Sequence, residues 1–267
     1  MCHDPVSEPQ PTSDSRTLLE GMTSLSALFD AKAAGLNDRP ILEVLLDREK
    51  FSDTAKNEKR ARELAFLRAK SRELGFPIRP VSTDELDACT AGSTHGGVAA
   101  VCGDRTIPAL ASAELPATGF YALLEGIEDP YNFGSCIRSL YLAGADGLIL
   151  SPRNWMSAAG VVAKSSAGTS ERIPCYLASS EEVAPVFHGR GYRILCAGIR
   201  DSVPYGEADL KKPLLLVVGG EKRGISRALL DAADGIVRID YARAFRGSLP
   251  TTAATAILAF EILRQNS

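Results

Sequence analysis

Residues 213–226 read PLLLVVGGEKRGIS, and this stretch indicates the architecture of the chain. Five apolar residues in succession, with no polar residue alternating between them, are typical of a strand buried on both faces of a helix-covered parallel sheet. The two glycines that follow end the strand, and Ser226 is of the residue type that begins a helix. The stretch therefore predicts a strand, a glycine loop and a helix, as in α/β folds.

The same alternation extends on both sides of this stretch, from residue 120 to the last helix. Strands are predicted at 121–124, 147–150, 173–177, 193–197, 214–218 and 236–239. Helices are predicted at 133–143, 155–164, 181–188, 227–233 and 251–263. We therefore expect residues 119–267 to form a mostly parallel sheet covered by helices.

A smaller mixed α/β domain is predicted upstream, over residues 16–106. Its patterns are helical at 18–34, 53–74 and 84–88, and extended at 41–46, from 76 onward and at 97–102. Residues 107–118 contain two prolines and one charged residue, which predicts an interdomain linker. Residues 1–15 have neither a basic start nor an apolar stretch, so we expect a flexible tail on a cytoplasmic protein.

Composition excludes several classes of protein. The mean hydropathy of the 267 residues is -0.01, and no apolar run approaches the roughly 20 residues of a membrane-spanning helix. Six scattered cysteines and three histidines provide neither a disulfide framework nor a zinc site, so no metal is expected. The net charge is -3, so a polyanionic partner would need a local basic patch.

Three loops that follow predicted strands contain unusual polar residues, at the edge where open α/β sheets bind ligands. They are 125–134 (EGIEDPYNFG), 219–226 (GGEKRGIS) and 241–252 (YARAFRGSLPTT). Each has a simpler explanation, because Asn132, Ser226 and the polar residues of the third loop can all cap helices. Arg138, which follows the first loop, is equally explained as an exposed arginine. Neither a P-loop nor a dinucleotide fingerprint is present, which argues against a nucleotide-dependent oxidoreductase.

Together, the three loops resemble the SpoU (TrmH) family of RNA ribose 2'-O-methyltransferases, part of the SPOUT superfamily. The matching stretches are 132–138 (NFGSCIR), 219–224 (GGEKRG) and 248–253 (SLPTTA). Residues 19–21 (LEG) and 94–100 (THGGVAA) resemble this family's small ribosomal-protein-like substrate-binding domain. The resemblance implies an α/β fold in which that domain precedes a mostly parallel sheet with a deep C-terminal trefoil knot.

The resemblance also implies S-adenosylmethionine as cofactor and 2'-O-methylation of RNA, ribosomal RNA first and tRNA as an alternative. It implies a homodimer in which the catalytic arginine and the cofactor belong to different chains. The implied cofactor contacts are Ala197, Gly198, Gly219, Gly224, Ile239 and Leu249. The implied catalytic residues are Asn132, Arg138, Glu221 and Ser248.

One position departs from the family pattern. Family members commonly have asparagine where this chain has Pro250, and a proline has neither an N–H group nor an amide side chain. Hydrogen bonds made by that asparagine are therefore lost. A catalytically silent RNA-binding protein with the same fold is the alternative that this departure leaves open.

Basic residues of the predicted helix 53–74 are candidates for RNA binding, because phosphate contacts need clustered positive charge. A solvated helix face with internal ion pairs explains the same pattern. His95 is an RNA contact or a hydrogen-bonded turn residue. The main RNA candidates are Lys56, Lys59, Arg60, His95 and Arg138. Further candidates are Arg62, Arg68, Lys70 and Arg72 on the same helix, and Lys164, Ser165, Ser166, Arg243 and Arg246 near the cleft.

Overall fold

The computed structural model describes residues 16–53, 57–91, 93–151 and 158–267. Within these ranges the chain forms a four-stranded and a seven-stranded sheet, each packed with helices, which confirms the predicted α/β class. We call the part built on the four-stranded sheet, residues 17–102, the N-terminal unit. We call the part built on the seven-stranded sheet, residues 120–265, the C-terminal unit. None of the helices in the described ranges combines the length and apolar character that a membrane crossing requires.

The N-terminal unit is built on a mixed sheet. Its elements are β1 (Thr17–Glu20), α1 (Gly21–Ala33), β2 (Ile41–Asp47), α2 (Glu58–Leu74), β3 (Ile78–Val81), α3 (Thr83–Cys89) and β4 (Val98–Cys102). The strand order is β1-β4-β2-β3, with β4 antiparallel to both of its neighbours and β2 parallel to β3.

The C-terminal unit is a parallel sheet with the order β7-β6-β5-β10-β8-β11-β9, in which every strand pair is parallel. Its strands are β5 (Phe120–Glu125), β6 (Gly147–Leu150), β7 (Cys175–Leu177), β8 (Arg193–Ala197), β9 (Val203–Pro204), β10 (Leu214–Gly219) and β11 (Gly235–Arg238). Its helices are α4 (Pro130–Leu142), α5 (Ala159–Ser165), α6 (Thr169–Arg172), α7 (Ser180–Gly189), α8 (Arg227–Asp231) and α9 (Thr251–Gln265). The trefoil knot stays a prediction, because strand order alone does not decide how the chain is threaded.

Strand β10 occupies the centre of this sheet because its side chains fill cores on both faces. Leu214, Leu216 and Val218 belong to one buried cluster, and Leu215 and Val217 belong to the other. All five are at most 2% exposed. The uninterrupted apolar pattern is therefore the consequence of two-sided burial.

Two predicted helix boundaries in the N-terminal unit are wrong. Residues 17–20, assigned mostly to a helix on apolar spacing, form β1 because Leu18 and Leu19 pair with β4. The short apolar run fits either element, and the strand partner lies some 80 residues away in sequence. Helix α2 begins at Glu58 instead of 53, because the Asn57 side chain accepts from the Arg60 N–H at 3.1 Å.

Buried polar contacts join the two units. The Glu171 carboxylate, 3% exposed, accepts from Arg39 Nε at 2.9 Å and from Asn37 Nδ2 at 2.8 Å. Lys164 Nζ donates to Glu20 Oε2 at 2.6 Å. Because a charge buried without its partner is costly, these contacts fix how the units pack.

The segment 107–118, predicted as a linker, packs against the C-terminal sheet. The Leu177 N–H donates to the Pro108 carbonyl at 2.8 Å, and the Tyr192 hydroxyl donates to the Pro116 carbonyl at 2.8 Å. Leu110 and Leu115 are buried in the same cluster as β10 residues. The segment therefore contributes to the core of the C-terminal unit.

Helix α4 packs closely on α5 through Gly134. A Cβ atom at this position would overlap Ser165 Oγ and lie 2.8 Å from the Val162 carbonyl oxygen. We expect Gly134→Ala to lower the free energy of unfolding by about 1–3 kcal/mol, because the two helices must separate. Chemical denaturation measures this loss. Gly189→Ala is the matched control, because no atom lies within 4 Å of the position that its added methyl group would take, and an equal loss in both variants would contradict the packing explanation.

Candidate functional site

Three loops at the carboxyl ends of the adjacent strands β10, β8 and β11 enclose a cavity of about 700 Å³. Its walls are formed mainly by apolar side chains and by backbone of the glycine-containing loops. The apolar side chains include Val218, Ile225, Leu230, Ile236, Ile239, Leu249 and Leu258. Charged side chains, among them Glu221, Arg223 and Arg238, line the cavity as well. A concave site that combines apolar walls with polar groups is typical of small-molecule binding.

The loop after β10 needs glycine at several positions. A Cβ atom at Gly219 would lie 2.6 Å from the Gly224 carbonyl carbon, and one at Gly220 would overlap the Gly126 carbonyl oxygen. Gly224 adopts φ +64° and donates from its N–H to the Gly220 carbonyl at 2.9 Å. Only glycine therefore lets the backbone of this turn pack so closely beside the cavity.

Glu125, at the end of β5, holds this loop in place. Its Oε2 accepts from the Ser226 N–H at 2.7 Å, and its Oε1 accepts from the Ser180 hydroxyl at 2.8 Å. Its backbone carbonyl accepts from the Gly220 N–H at 2.7 Å. Ser226 occupies the N-cap position of α8, which agrees with the prediction that it begins a helix. Its side chain, however, makes no capping hydrogen bond.

The third loop is tied to the cavity at both of its ends. The Leu249 N–H donates to the Tyr241 hydroxyl at 2.9 Å, and both residues line the cavity. Pro250 is the N-cap residue of α9 and provides no side-chain hydrogen bond, so this loop's polar residues do not cap the helix as expected. Instead, Glu221 Oε1 lies 3.5 Å from the Thr251 N–H nitrogen. The glycine loop therefore brings a carboxylate to the helix end, where negative charge is favourable.

The structure brings eight of the predicted site residues to this cavity. They are Ala197, Gly198, Gly219, Glu221, Gly224, Ile239, Ser248 and Leu249. Three separate segments of the sequence supply them, one after each of the strands β8, β10 and β11. All six residues assigned to the cofactor are among the eight.

Asn132 and Arg138 are not part of the cavity lining. Both lie on α4, where Arg138 is exposed and has neither a hydrogen bond nor an ion pair with any residue in the described ranges. Asn132 does not cap this helix. The Asp129 side chain does so, accepting from the Tyr131 and Asn132 N–H groups, and the helix starts at Pro130 instead of 133.

The residues assigned to RNA have different surroundings. The Lys59 side chain is 83% exposed, whereas the Arg60 guanidinium donates to Glu63 and to the Gly96 carbonyl. His95 is fully buried, with its Nε2 2.6 Å from Asp87 Oδ1, so the predicted RNA contact through its ring is wrong and it is a turn residue. Lys56 lies outside the described residues.

Buried thiols near the site are not nucleophiles. Burial raises the pKa of Cys136 on α4 to about 11 and that of Cys196 on β8 to about 12. Both thiols are therefore protonated at neutral pH, and the thiolate is the reactive form. A covalent cysteine intermediate has no support at this site.

Two residues that shape the site were not among the predicted ones. Glu125 belongs to the first of the three loops. Its position at the end of a buried strand could have indicated that its carboxylate accepts hydrogen bonds from a neighbouring loop. Tyr241 also lies within a quoted loop, but nothing in the local pattern indicates that its hydroxyl binds the Leu249 N–H. Hydrogen bonds of this kind depend on how a loop folds back on itself.

Comparison with known proteins gives consistent matches. Residues 119–260 match the SpoU rRNA Methylase family. The chain is 30% identical over 204 residues to the 23S rRNA (guanosine-2'-O-)-methyltransferase RlmB of Shewanella oneidensis, which covers 73% of this chain and 81% of that protein.

Two solved structures have similar folds. The rRNA methyltransferase of Sinorhizobium meliloti with bound AdoMet has a TM-score of 0.74 at 24% identity, covering 94% of this chain and 87% of that one. The SpoU methyltransferase AviRb of Streptomyces viridochromogenes in complex with AdoMet has a TM-score of 0.75 at 22% identity, covering 94% and 90%.

Proposed function

Because the chain belongs to the SpoU rRNA Methylase family, we propose that it transfers a methyl group from S-adenosylmethionine to a ribose 2'-hydroxyl of RNA. Ribosomal RNA is the proposed substrate, since a relative whose match covers 73% of this chain is named as a 23S rRNA methyltransferase. The observation that carries the proposal is the convergence of all six predicted cofactor residues on one cavity of about 700 Å³.

The residues around the cavity fit this cofactor. Gly219 and Gly220 let the glycine loop pack tightly against Gly224 and Gly126, and Ile239 and Leu249 provide apolar walls for a flat ring. The space suffices for a bent nucleoside with an amino-acid tail. When bound, S-adenosylmethionine supplies an electrophilic methyl group on a positively charged sulfur.

The side chains of this chain have to place the ribose hydroxyl and stabilise the charge that develops on its oxygen. A guanidinium group is a permanent cation and cannot serve as a base, so the role of Arg138 is to stabilise the developing alkoxide and to bind the adjacent phosphate. Ser248, exposed at the cavity, is placed to hydrogen-bond the ribose. Asn132, which precedes Arg138 by six residues on α4, orients the incoming RNA.

A second copy of the chain completes the proposed site. Arg138 lies outside the cavity of its own chain, and no hydrogen bond or ion pair joins it to Glu221 within the described residues. Helices α4 and α9 pack together, and both present large apolar side chains to solvent. These are Leu142 on α4, and Phe260 and Leu263 on α9, which are 38–58% exposed. Large exposed apolar side chains of this kind mark association surfaces. In the homodimer, Glu221 of one chain orients Arg138 of the other.

Mapping the methylated nucleotide tests the proposal directly. The purified protein is incubated with S-adenosylmethionine and ribosomal RNA from cells that lack its gene, and nuclease fragments are analysed by mass spectrometry. We expect a single fragment to gain one methyl group on a ribose. Methylation of tRNA alone would replace the substrate, and methylation of a base alone would contradict the reaction.

Pro250 is the feature that favours a catalytically silent RNA-binding protein. The structure reduces the weight of this departure, since Glu221 approaches the helix end that an asparagine would cap. We expect calorimetry to detect S-adenosylmethionine binding by both the natural chain and Pro250→Asn. Absence of binding by both forms would favour the silent protein.

RNA affinity is expected to depend on the exposed arginines of α2. Arg68 and Arg72 lie four residues apart on one exposed face, and neither is paired with a residue in the described part of the chain. We expect Arg68→Glu/Arg72→Glu to weaken rRNA binding and to flatten its dependence on salt, because each lost phosphate contact lowers the slope by about 0.7–0.9.

Filter binding at several salt concentrations measures this slope. Arg190→Glu is the matched control, because Arg190 is an exposed arginine on the C-terminal unit, at the end of α7. If Arg68→Glu/Arg72→Glu kept the slope of the natural protein, α2 would be an ordinary solvated helix.

A further inference from the structure

Phe245 is a large aromatic residue in the third loop whose ring is 68% exposed to solvent. An exposed apolar side chain is not by itself unusual. In sequence, however, Phe245 lies between Tyr241 and Ser248, which both line the cavity, and its ring contacts the ring of Tyr241. A base bound against Phe245 would therefore be a neighbour of the nucleotide that enters the site.

The ring of Phe245 is held in place. It makes an edge contact with Tyr241, with ring centroids 6.4 Å apart and an interplanar angle of 62°. Its other support is Gly247, where a Cβ atom would lie 2.6 and 2.8 Å from two ring carbons. Only a glycine lets the ring rest so close to the backbone. A positioned ring loses less entropy than a mobile one when a ligand stacks on it.

Two arginines lie close to Phe245 in sequence. Arg243 and Arg246 are exposed, and within the described residues neither has a hydrogen bond or an ion pair. An exposed aromatic ring with unpaired guanidinium groups on the same loop is the combination that binds single-stranded nucleic acid, through base stacking and phosphate contacts.

The geometry points to Phe245 as a stacking platform for one base of single-stranded RNA next to the target nucleotide, with Arg243 and Arg246 on the flanking phosphates. This inference rests on the proposed function and names an RNA subsite within it. A ring that instead packed against a second copy of this chain would not accept a base. That arrangement is one of the outcomes that the test distinguishes.

Three substitutions separate stacking from simple apolar contact. Phe245→Trp keeps a planar ring, Phe245→Leu keeps an apolar side chain without one, and Phe245→Ala removes both. The probe is a ten-residue oligoadenylate containing one 2-aminopurine, whose fluorescence is quenched when it stacks on an aromatic ring. We expect the natural protein and Phe245→Trp to quench it. We expect Phe245→Leu and Phe245→Ala to bind the probe roughly tenfold more weakly, without quenching.

Further measurements distinguish this subsite from the rest of the site. S-adenosylmethionine affinity, measured by calorimetry, and the melting temperature should be the same in all four proteins. With ribosomal RNA, the loss should appear in KM and not in kcat. Arg243→Gln/Arg246→Gln should reduce the salt dependence of probe binding while quenching persists.

Two results would overturn the inference. One is probe affinity and quenching by Phe245→Leu equal to those of the natural protein. The other is dissociation of Phe245→Ala into monomers during sedimentation, which would place the ring in an interface between copies. Neither result would contradict the proposed methyl transfer, because the mapping of ribose methylation with the natural protein tests that proposal separately.

Discussion

Arg138→Ala is expected to eliminate nearly all methyl transfer while leaving the fold and the S-adenosylmethionine affinity unchanged. Arg138 is exposed and has no hydrogen-bond or ion-pair partner among the described residues, so its removal costs little stability. It does not line the cavity, so the cofactor loses no contact within the same chain. What is lost is a permanent positive charge beside the developing alkoxide, which is worth roughly 10²–10³-fold in rate.

Single-turnover methylation of ribosomal RNA measures the rate, and calorimetry measures the cofactor affinity. Arg190→Ala, an exposed arginine at the end of α7, is the matched control and should react like the natural protein. Arg138→Lys keeps the charge but not the planar pair of donors, so we expect an intermediate rate. A rate for Arg138→Ala equal to that of the control would exclude Arg138 from catalysis.

Six of the seven strands of the C-terminal unit were predictable from the sequence because their signals are local, whereas the residues assigned to the cofactor were implied by the family resemblance. The run 214–218 is apolar without interruption since its side chains enter two cores, and this requirement is visible within five residues. The glycines at 219, 220 and 224 follow from a turn that admits no larger side chain. Because parallel strands end at one edge of the sheet, loops distant in sequence were expected to meet there.

Contacts between distant segments were not predictable. The Glu171 carboxylate meets Arg39 across 132 residues, and no periodicity indicates such a pair. The sequence left His95 as either an RNA contact or a hydrogen-bonded turn residue, and the structure buries its ring against the Asp87 carboxylate. The start of α4 was predictable, since Asp129 followed by Pro130 is a typical helix beginning, and assigning the cap to Asn132 overlooked it.

Gly220→Val is expected to weaken S-adenosylmethionine binding by about two orders of magnitude. Its first added carbon would overlap the Gly126 carbonyl oxygen, so the glycine loop would have to move away from β5. The shift would break the Gly220 N–H bond to Glu125 and displace Glu221 from the end of α9. Overpacking of this kind costs up to about 3 kcal/mol. If the loop must return to its original position to bind the cofactor, this free energy is subtracted from that of binding, and the affinity falls roughly 150-fold.

Calorimetry with S-adenosylmethionine measures the affinity, and circular dichroism verifies that the variant is folded. Gly206→Ala is the matched control, because no atom lies within 4 Å of the position its methyl group would take. Gly220→Ala provides a milder variant in which a partial loss is expected. Undiminished affinity in the folded Gly220→Val protein would place the cofactor elsewhere.

Mixing the two inactive proteins tests whether each site is shared between chains. In a heterodimer of Arg138→Ala and Gly220→Val, one site combines an intact cofactor cavity from the first chain with Arg138 from the second. Random reassociation makes half of the dimers mixed, each with one working site, so about one quarter of the natural activity should return. If cavity and arginine acted within one chain, every site in the mixture would have a defect and no activity would return.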